Sequence, residues 1–405
     1  MTIQTQGVKY AGSKKRLLPQ ILDVIESTGA RSVWDAFSGT TRVSQALAQK
    51  GFRTFSSDIS LWSEIFGTCW LLNMREPETY AELIDHLNHV PSQDGWFTEN
   101  YGGDVRESET ENCYETENRY KAEKVYETGN GNHVNNSDNT KKRFVPCPTL
   151  DSGVKRPFQR KNMRKLDGIR AELDRLALDS VTYAVAMTAL MLALDRVDNT
   201  LGHFSSYLRD WAPRSYQDLT LTVPYLWVNR EKNKVFRGDV FSLTPKIHAD
   251  LAYFDPPYGS NNEKMPPSRV RYAAYYHFWT TLIRNDQPEL FGRAQRRKDS
   301  SDLLAPSIFE EFRKNPETGR FLAVEAIQRL LHETDAQWIL LSYSSGGRAT
   351  ASELLEAVHS VGELCDLRKI DYQQNVMANM KWTNEWLREK PAPNQEFLFL
   401  IEKSR

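Results

Sequence analysis

The residues of this sequence whose types and spacing best suit chemistry are Asp255-Pro256-Pro257-Tyr258. They follow the short apolar run Asp250-Leu251-Ala252-Tyr253-Phe254, which predicts a buried strand that the prolines end, because proline cannot donate to a sheet ladder. The turn offers a carboxylate, rigidly held carbonyls and an aromatic face. These groups suit an amino group on a flat ring, whose two N–H bonds they accept while its lone pair faces an electrophile. An ordinary strand-ending turn is the alternative.

Two earlier stretches have the pattern of an anion- or nucleotide-binding unit. Lys9–Arg16 is a small-residue turn with lysines that opens onto the helical pattern Leu17–Ile25, so it could hold an anion or be a basic surface turn. Ser32–Thr41 reads as a strand and a glycine-bearing turn, and the helical pattern Val43–Lys50 follows. The fingerprint GxGxxG is absent, which argues against a nicotinamide or flavin site.

Two aspartates stand where predicted strands end. Asp58 ends the second predicted strand, Gly51–Ile59, and lies 23 residues after Asp35 (58 − 35), the spacing at which an acidic residue binds an adenosine ribose. An N-cap of the following helix is the alternative for Asp58. Asp239 follows another short strand pattern 16 residues before Asp255 (255 − 239), as part of a site or as a turn residue.

The overall composition describes a soluble globular protein with 40% hydrophobic residues. Its 405 residues exceed one compact core, so two domains or one domain with a large insertion are expected. Neither a membrane-spanning run nor a secretory signal is evident, which favours a cytoplasmic location. The four scattered cysteines, Cys69, Cys113, Cys147 and Cys365, predict free thiols and no metal site.

Charge is segregated along the chain although the net charge is only −1. Residues 104–127 are acidic and residues 141–170 are basic, and a local basic face is what nucleic-acid binding requires. The polar stretch 100–157 is expected to be mobile, either as a DNA-contacting loop or as a solvated insertion. Six basic residues are expected to contact DNA, three on the helical pattern Phe158–Ala177 and three among aromatic residues after Tyr258: Lys161, Arg164, Lys165, Lys264, Arg269 and Arg271. For the aromatic residues of that second stretch, a place in the core is the alternative.

The motif Asp255–Tyr258 resembles the DPPY signature of the D12-class (Dam-like) adenine-specific DNA N6-methyltransferases. Lys9–Lys14 resembles the family's first motif, Lys-Tyr/Trp-x-Gly-x-Lys, and Asp35–Gly39 resembles its Asp-x-Phe-x-Gly motif, in the family's order; Thr41 replaces the usual second glycine. The resemblance implies S-adenosylmethionine (SAM) as cofactor. It places the catalytic role on Asp255, Pro256, Pro257 and Tyr258, and cofactor binding on Tyr10, Gly12, Lys14, Asp35, Phe37, Ser38, Gly39, Asp58, Ile59, Asp239 and Val240.

The fold that this resemblance implies is α/β, a SAM-dependent methyltransferase (Rossmann-like) doubly wound mixed sheet. Residues 1–60 and 235–405 would form the catalytic domain, and 61–234 a mostly helical inserted DNA-recognition region. The apolar pattern Ser180–Val197 predicts a buried helix against the sheet, and 371–380 and 395–402 predict closing antiparallel strands.

The implied activity is site-specific methylation of adenine N6 in double-stranded DNA, with a cognate restriction endonuclease as a possible companion. Relatives acting on cytosine N4 more often carry serine in place of Asp255, which favours adenine. Two rival functions stay open: an inactive DNA-binding protein on the same fold, and a dehydrogenase.

Overall fold

The computed structural model describes residues 3–104, 155–259, 271–300, 307–371 and 395–404. Within these ranges one sheet has seven strands: β1 (Ser32–Asp35), β2 (Arg53–Asp58), β3 (Lys234–Arg237), β4 (Leu251–Phe254), β5 (Trp338–Ser344), β6 (Gly362–Asp371) and β7 (Gln395–Lys403). Their order across the sheet is β6-β7-β5-β4-β1-β2-β3. The five strands from β5 to β3 are parallel, and β7 is antiparallel to both β5 and β6. The predicted doubly wound mixed sheet is confirmed.

Twelve α-helices of the described residues accompany the sheet. They are α1 (Leu18–Ser27), α2 (Arg42–Gln49), α3 (Leu61–Leu71), α4 (Ala81–His89), α5 (Trp96–Tyr101), α6 (Arg160–Arg175), α7 (Ser180–Val197), α8 (Val240–Leu243), α9 (Tyr272–Tyr275), α10 (His277–Arg284), α11 (Leu322–Glu333) and α12 (Ala351–His359). Two-residue strand pairs join Gly102–Gly103 to Phe158–Gln159 and Leu290–Phe291 to Arg296–Arg297.

Alternation along the central strands divides the sheet between two cores. In β4, Leu251 and Tyr253 face a core shared with α1 and α2, whereas Ala252 and Phe254 face a core shared with α8, α11 and α12. Successive side chains of a strand point to opposite faces, so a fully buried strand requires helices on both sides. All four residues of β4 are buried, in accord with its uninterrupted apolar sequence.

A third core is built mainly from the helices between β2 and β3. It contains side chains of α3, α4, α6 and α7, together with α10 from a later part of the chain. The predicted helix Ser180–Val197 is confirmed as α7, but its packing was predicted wrongly: it lies against α3, and α3 in turn contacts β2 and the edge strand β3. Its length and composition would also allow a membrane span, yet most of it is buried inside the protein, as in a core helix.

The closing strands were predicted only in part. β7 begins at Gln395 as expected, but its described partner at the sheet edge is β6, which the sequence did not predict and which ends at Asp371. A register shift between Leu364 and Asp366 interrupts the pairing of β6 with β7. Such a bulge breaks the alternation of apolar residues from which a strand is recognised. Residues 372–380 of the predicted strand lie outside the described residues.

The strand order positions a binding crevice. From β1 the chain continues through α2 to β2, which pairs with one edge of β1, whereas β4 pairs with the opposite edge of β1. In open α/β sheets, ligands bind beyond the carboxyl ends of the strands at the point where the strand order reverses. The turns that come after β1, β2, β3 and β4 therefore meet along one edge of the sheet, and each carries a predicted site residue.

Candidate active site

The turn after β4 places Asp255 in a nearly closed polar cluster. Its side chain is 15% exposed, and its Oδ1 lies 2.8 Å from the Lys14 ammonium nitrogen. The Tyr258 hydroxyl also donates to Oδ1 of Asp255. Pro256 is buried and Pro257 half-buried, so the prolines hold this turn against the sheet edge.

The main chain of the same turn is fixed by the end of β5 and the loop that follows it. The Tyr258 carbonyl accepts hydrogen bonds from the Arg348 backbone N–H at 2.7 Å and from the Tyr343 hydroxyl at 3.2 Å. The Tyr258 and Tyr343 rings lie 4.9 Å apart between centroids and are tilted by 58°. Backbone and ring are thus both held in place, which is what a positioned aromatic surface requires.

Glu396 at the start of β7 joins this cluster, although no sequence motif indicated it. Its Oε1 lies 2.5 Å from the Tyr258 hydroxyl and 3.2 Å from the Lys14 ammonium nitrogen. The Ser342 hydroxyl donates to the same oxygen at 2.6 Å. The only signal in the sequence is an acidic residue directly before the apolar run Phe397–Ile401 of this strand, and it does not reveal which strand lies beside it.

Burial dominates the electrostatics of the cluster. It raises the pKa of Asp255 to about 6; the Lys14 ammonium opposes this rise, and the negative charge of Glu396 adds to it. Burial lowers the pKa of Lys14, but the two carboxylates outweigh burial and leave that pKa raised. The pKa of Tyr258 is well above its usual value, first through burial and then through the two carboxylates, so the phenol stays protonated and can donate.

The first motif lies against the same turn and the loop after β1. The Tyr10 ring stacks on Tyr276 with centroids 4.6 Å apart, and the Tyr276 hydroxyl accepts a hydrogen bond from the Ala11 N–H at 2.7 Å. Gly12 is exposed, with φ of +82°, a conformation that favours glycine. Lys14 is buried with its ammonium on Asp255 and Glu396, so the structure places it at the carboxylates, whereas the resemblance implies a contact with the cofactor.

The loop after β1 is fixed by the residues that end β2. The Gly39 N–H donates to Oδ2 of Asp58 at 2.9 Å, and the Ser38 N–H donates to the Ser57 carbonyl at 3.0 Å. Gly39 has φ of +51°, and a Cβ there would lie 3.0 Å from a carbon of the Tyr10 ring. A larger residue would therefore displace the tyrosine. Phe37 is half-buried and edge-on to Phe309 at 5.3 Å.

Thr41 adopts the conformation that the missing second glycine would have supplied. Its φ and ψ are 58° and 19°, in the left-handed region that a β-branched residue rarely enters. The strained turn is closed by the Thr41 N–H donating to the Ser38 carbonyl at 2.6 Å and by the Gln45 side-chain amide donating to the Thr41 hydroxyl at 3.1 Å. The loop thus keeps a glycine-like course despite the substitution.

Asp35 lies behind this loop instead of in the open crevice. The residue is 1% exposed, and its Oδ2 accepts hydrogen bonds from the Ser44 N–H at 3.0 Å and the Ser44 hydroxyl at 2.6 Å. Burial raises the pKa of Asp35 to about 7, against the lowering effect of Ser44. These contacts fix the start of α2 to the end of β1, so Asp35 shapes the loop from below.

The residues at the ends of β2 and β3 differ in how open they are. Asp58 also accepts from the Ser60 N–H at 2.8 Å, and Ile59 beside it is 71% exposed. Asp239 is exposed, and its Oδ1 caps α8 through the Phe241 N–H at 3.0 Å. Val240 is buried in the core formed with α11 and α12, away from the edge.

These residues fit an adenosine-bearing cofactor. An isoleucine that exposes most of its surface beside an acidic residue offers an apolar face for a flat ring, and Asp58 and Asp239 offer carboxylate oxygens for hydroxyl and amino groups. A glycine-bearing loop stands next to them at the end of β1. Among the described residues, no group of three or more His, Cys, Asp or Glu side chains is placed to hold a metal ion.

The basic residues of α6 are bound to neighbouring protein groups. Lys161 donates to the Tyr216 carbonyl at 2.6 Å and pairs with an aspartate, Arg164 pairs with Asp94 at 3.2 Å, and Lys165 donates to the Val90 carbonyl at 2.5 Å. They thus fasten α6 to adjacent loops, and the structure does not bring them to Asp255. Arg271 precedes α9, and Lys264 and Arg269 lie outside the described residues.

Comparison with known proteins agrees with this geometry. Residues 10–315 match the family described as D12 class N6 adenine-specific DNA methyltransferase. The modification methylase StsI of Streptococcus sanguinis is 26% identical over 93% of this chain and 50% of its own length. The type II methyltransferase M.FokI of Planomicrobium okeanokoites is 24% identical over 98% of this chain and 53% of its own.

The match to a third relative spans both proteins. The type II methyltransferase M.NlaIII of Neisseria lactamica is 20% identical over 98% of this chain and 100% of its own length. By contrast, the chain spans about half the length of StsI and M.FokI. Since the family match covers well over half of the 405 residues, the chain belongs to the D12 class of N6 adenine-specific DNA methyltransferases.

Proposed function

We propose that this protein is a site-specific DNA methyltransferase that moves a methyl group from SAM to N6 of an adenine extruded from duplex DNA. The observation that carries the proposal is the position of Asp255. Its largely buried carboxylate ends β4 next to β1, at the reversal of strand order, with the aromatic ring of Tyr258 three residues on. An amino group on a flat ring matches both features.

The cofactor would be held along the ends of β1, β2 and β3. Asp58 and Asp239 offer acceptors for ribose hydroxyl and adenine amino groups, and Ile59 offers an apolar face for the ring. Phe37, Ser38 and Gly39 form the adjoining loop. SAM would supply an electrophilic methyl group on a positively charged sulfur.

The target base is received by the turn after β4. Extrusion from the duplex costs a few kcal/mol of stacking and pairing, which the turn must offset. The Asp255 carboxylate and the Pro256 carbonyl would accept the two N6 hydrogen bonds, and the Tyr258 ring would stack on the base. With both hydrogens engaged, the nitrogen lone pair is left free, and catalysis is largely the positioning of the two reactants.

Asp255 is also suited to accept the proton that the methylated nitrogen must lose. In a direct displacement, the N6 lone pair forms the new C–N bond and the electrons of the C–S bond return to sulfur. The nitrogen then carries one proton too many. The Asp255 carboxylate would lie within hydrogen-bond reach of that proton, and its pKa of about 6 is close to the working pH. Asp255 can therefore accept the proton and release it again.

The wider context is part of the proposal. The curated relatives are named as modification or type II methyltransferases, which supports a role in restriction and modification, with a cognate endonuclease and a cytoplasmic location. The boundary of the inserted region at 61–234 stays a prediction. Its helices share a core with α10, so a DNA-recognition part would include residues beyond that boundary.

Transfer of labelled methyl groups from SAM to unmethylated genomic DNA tests the function. Label should appear in N6-methyladenine and be lost in Asp255→Ala. The matched control is Asp335→Ala, an exposed aspartate that precedes β5 at the opposite end of the strands. Label in N4-methylcytosine would overturn the base assignment, and a wild-type protein that binds SAM but labels no DNA would contradict the proposed activity.

A further inference from the structure

Glu396 is a buried carboxylate that belongs to none of the sequence motifs. Its side chain is 7% exposed. Its Oε1 accepts a hydrogen bond from the Ser342 hydroxyl, pairs with the Lys14 ammonium, and is the alternative to Asp255 as acceptor of the one proton of the Tyr258 hydroxyl. It pairs across the sheet with Ser344 at the carboxyl end of β5, which places it at the same edge as Asp255. Antiparallel β7 thus adds an acidic residue to the crevice of the parallel strands.

The charge of Glu396 is not explained by packing. Removing a carboxylate from water carries a large desolvation penalty, and a second carboxylate nearby adds repulsion. Glutamine would fill the same volume and could still accept hydrogen bonds from Ser342 and Tyr258. What glutamine could not do is share the Lys14 ammonium as a counterion.

The contacts of Asp255 show why the Lys14 ammonium needs a second carboxylate. Lys14 and Tyr258 both reach Asp255 through Oδ1, and among the described residues Oδ2 receives no hydrogen bond. An ammonium held by Asp255 alone would compete with an incoming amino group for that carboxylate. Because the ammonium nitrogen also lies 3.2 Å from Glu396, it can stay neutralised while Asp255 turns to a new donor.

We propose that Glu396 is a positioning residue for methyl transfer: it holds the Lys14 ammonium and the Tyr258 hydroxyl beside Asp255 and retains them when Asp255 binds the target amino group. This assignment rests on the proposed function. It makes two predictions that differ from those of a purely structural residue. Loss of the charge lowers the rate at saturating substrates, and it changes the pH at which Asp255 titrates.

The direction of the second effect depends on the groups that face Asp255. Within the part of the chain that the structure describes, its charged neighbours are Lys14, Glu396 and the more distant Asp35, and its phenolic neighbours are Tyr10, Tyr253, Tyr258 and Tyr272. The negative charge of Glu396 raises the pKa of Asp255, whereas Lys14 lowers it. Neutralising Glu396 should therefore shift the loss of activity in acid to lower pH.

The decisive variant is Glu396→Gln, compared with Glu396→Asp and with Glu402→Gln on the same strand. kcat, KM for DNA and the acid limb of kcat/KM would be measured on the full chain with SAM and unmethylated DNA. We expect kcat to fall about tenfold or more in Glu396→Gln, with its acid limb at lower pH. Glu396→Asp should keep the acid limb of kcat/KM at the wild-type pH. Glu402→Gln should match the wild type in kcat, in KM for DNA and in the acid limb.

The measured outcomes separate the two proposals. Wild-type kcat and an unshifted acid limb in Glu396→Gln, alongside an active wild type, overturn the role of Glu396 alone. A wild type that labels no DNA overturns the proposed function instead. If thermal unfolding shows that Glu396→Gln does not fold, the variant Ser342→Ala replaces it, since it removes one neutral hydrogen bond to Oε1 of Glu396. An unchanged kcat in Ser342→Ala would overturn the proposal, and a fall of about threefold would support it.

Discussion

The raised pKa of Asp255 predicts that methylation fails in mild acid. The ionised carboxylate is the form that accepts hydrogen bonds without donating one. Burial raises the pKa of this group to about 6, compared with about 3.9 for an exposed aspartate. For a carboxyl with a raised pKa, the protonated fraction grows as the pH falls through that value. Activity should therefore be full above neutral pH and decline below about pH 6.

The size of the fall in kcat/KM follows from the raised pKa of Asp255, compared with the usual pKa of an aspartate. With a pKa of about 6, roughly nine-tenths of Asp255 is ionised at about pH 7 and about one-tenth at about pH 5. kcat/KM should thus fall about tenfold over this interval. An aspartate with its usual pKa would still be roughly nine-tenths ionised at about pH 5, so its activity would hardly change.

The assay is initial-rate methylation of unmethylated DNA with labelled SAM, at constant ionic strength and across this pH range. kcat/KM is the relevant quantity because it reports the free enzyme, whose contacts the structure describes. DNA and SAM binding, and far-UV circular dichroism, would be followed at each pH to exclude other titrations and unfolding. A rate that is flat down to about pH 5 in a folded, substrate-binding protein would refute the reasoning about burial.

Three further predictions concern single residues. Lys14→Met should shift the loss of kcat/KM in acid to higher pH, because Lys14 lowers the pKa of Asp255. Lys15→Met, at an exposed lysine, is the control. A change in SAM affinity without a shift in this pH dependence would show that Lys14 acts on the cofactor instead. Thr41→Gly should destabilise the fold by about 1–2 kcal/mol less than Thr40→Gly, since only Thr41 has a left-handed backbone, and equal losses in urea unfolding would contradict this. Ile59→Ser should weaken SAM binding by about tenfold in equilibrium titration, whereas Met74→Ser, with 73% of its surface exposed against 71% for Ile59, should leave binding unchanged.

Local sequence was sufficient for much of the catalytic edge. An apolar run followed by two prolines predicted β4 and the turn at Asp255, and the strand–turn–helix pattern predicted β1, its loop and α2. These inferences succeed because a buried parallel strand and a helix each leave a periodic signature in a few consecutive residues. The carboxyl ends of parallel strands share one edge, so Asp58 and Asp255 could be assigned to the same crevice.

Only the tertiary structure decided what surrounds Asp255. Glu396 reaches Tyr258 across 138 residues of sequence because β7 inserts beside β5, and neither strand carries a local sign of its neighbour. The same holds for the pairing of Lys14 with both carboxylates. It also holds for the contact of Lys165 with the Val90 carbonyl, and the role of Lys165 in DNA binding stays a prediction.

The physical reason is the range of the interactions. Helix and strand formation depend on residues a few positions apart, so the sequence by itself determined β1, β4, α2, the DPPY turn and the family, whereas it missed the bulged edge strand β6. The pKa of a buried carboxylate depends on which charges and how much water lie within a few ångströms. For Asp255 those neighbours come from an N-terminal turn and the last strand, which only the folded chain brings together.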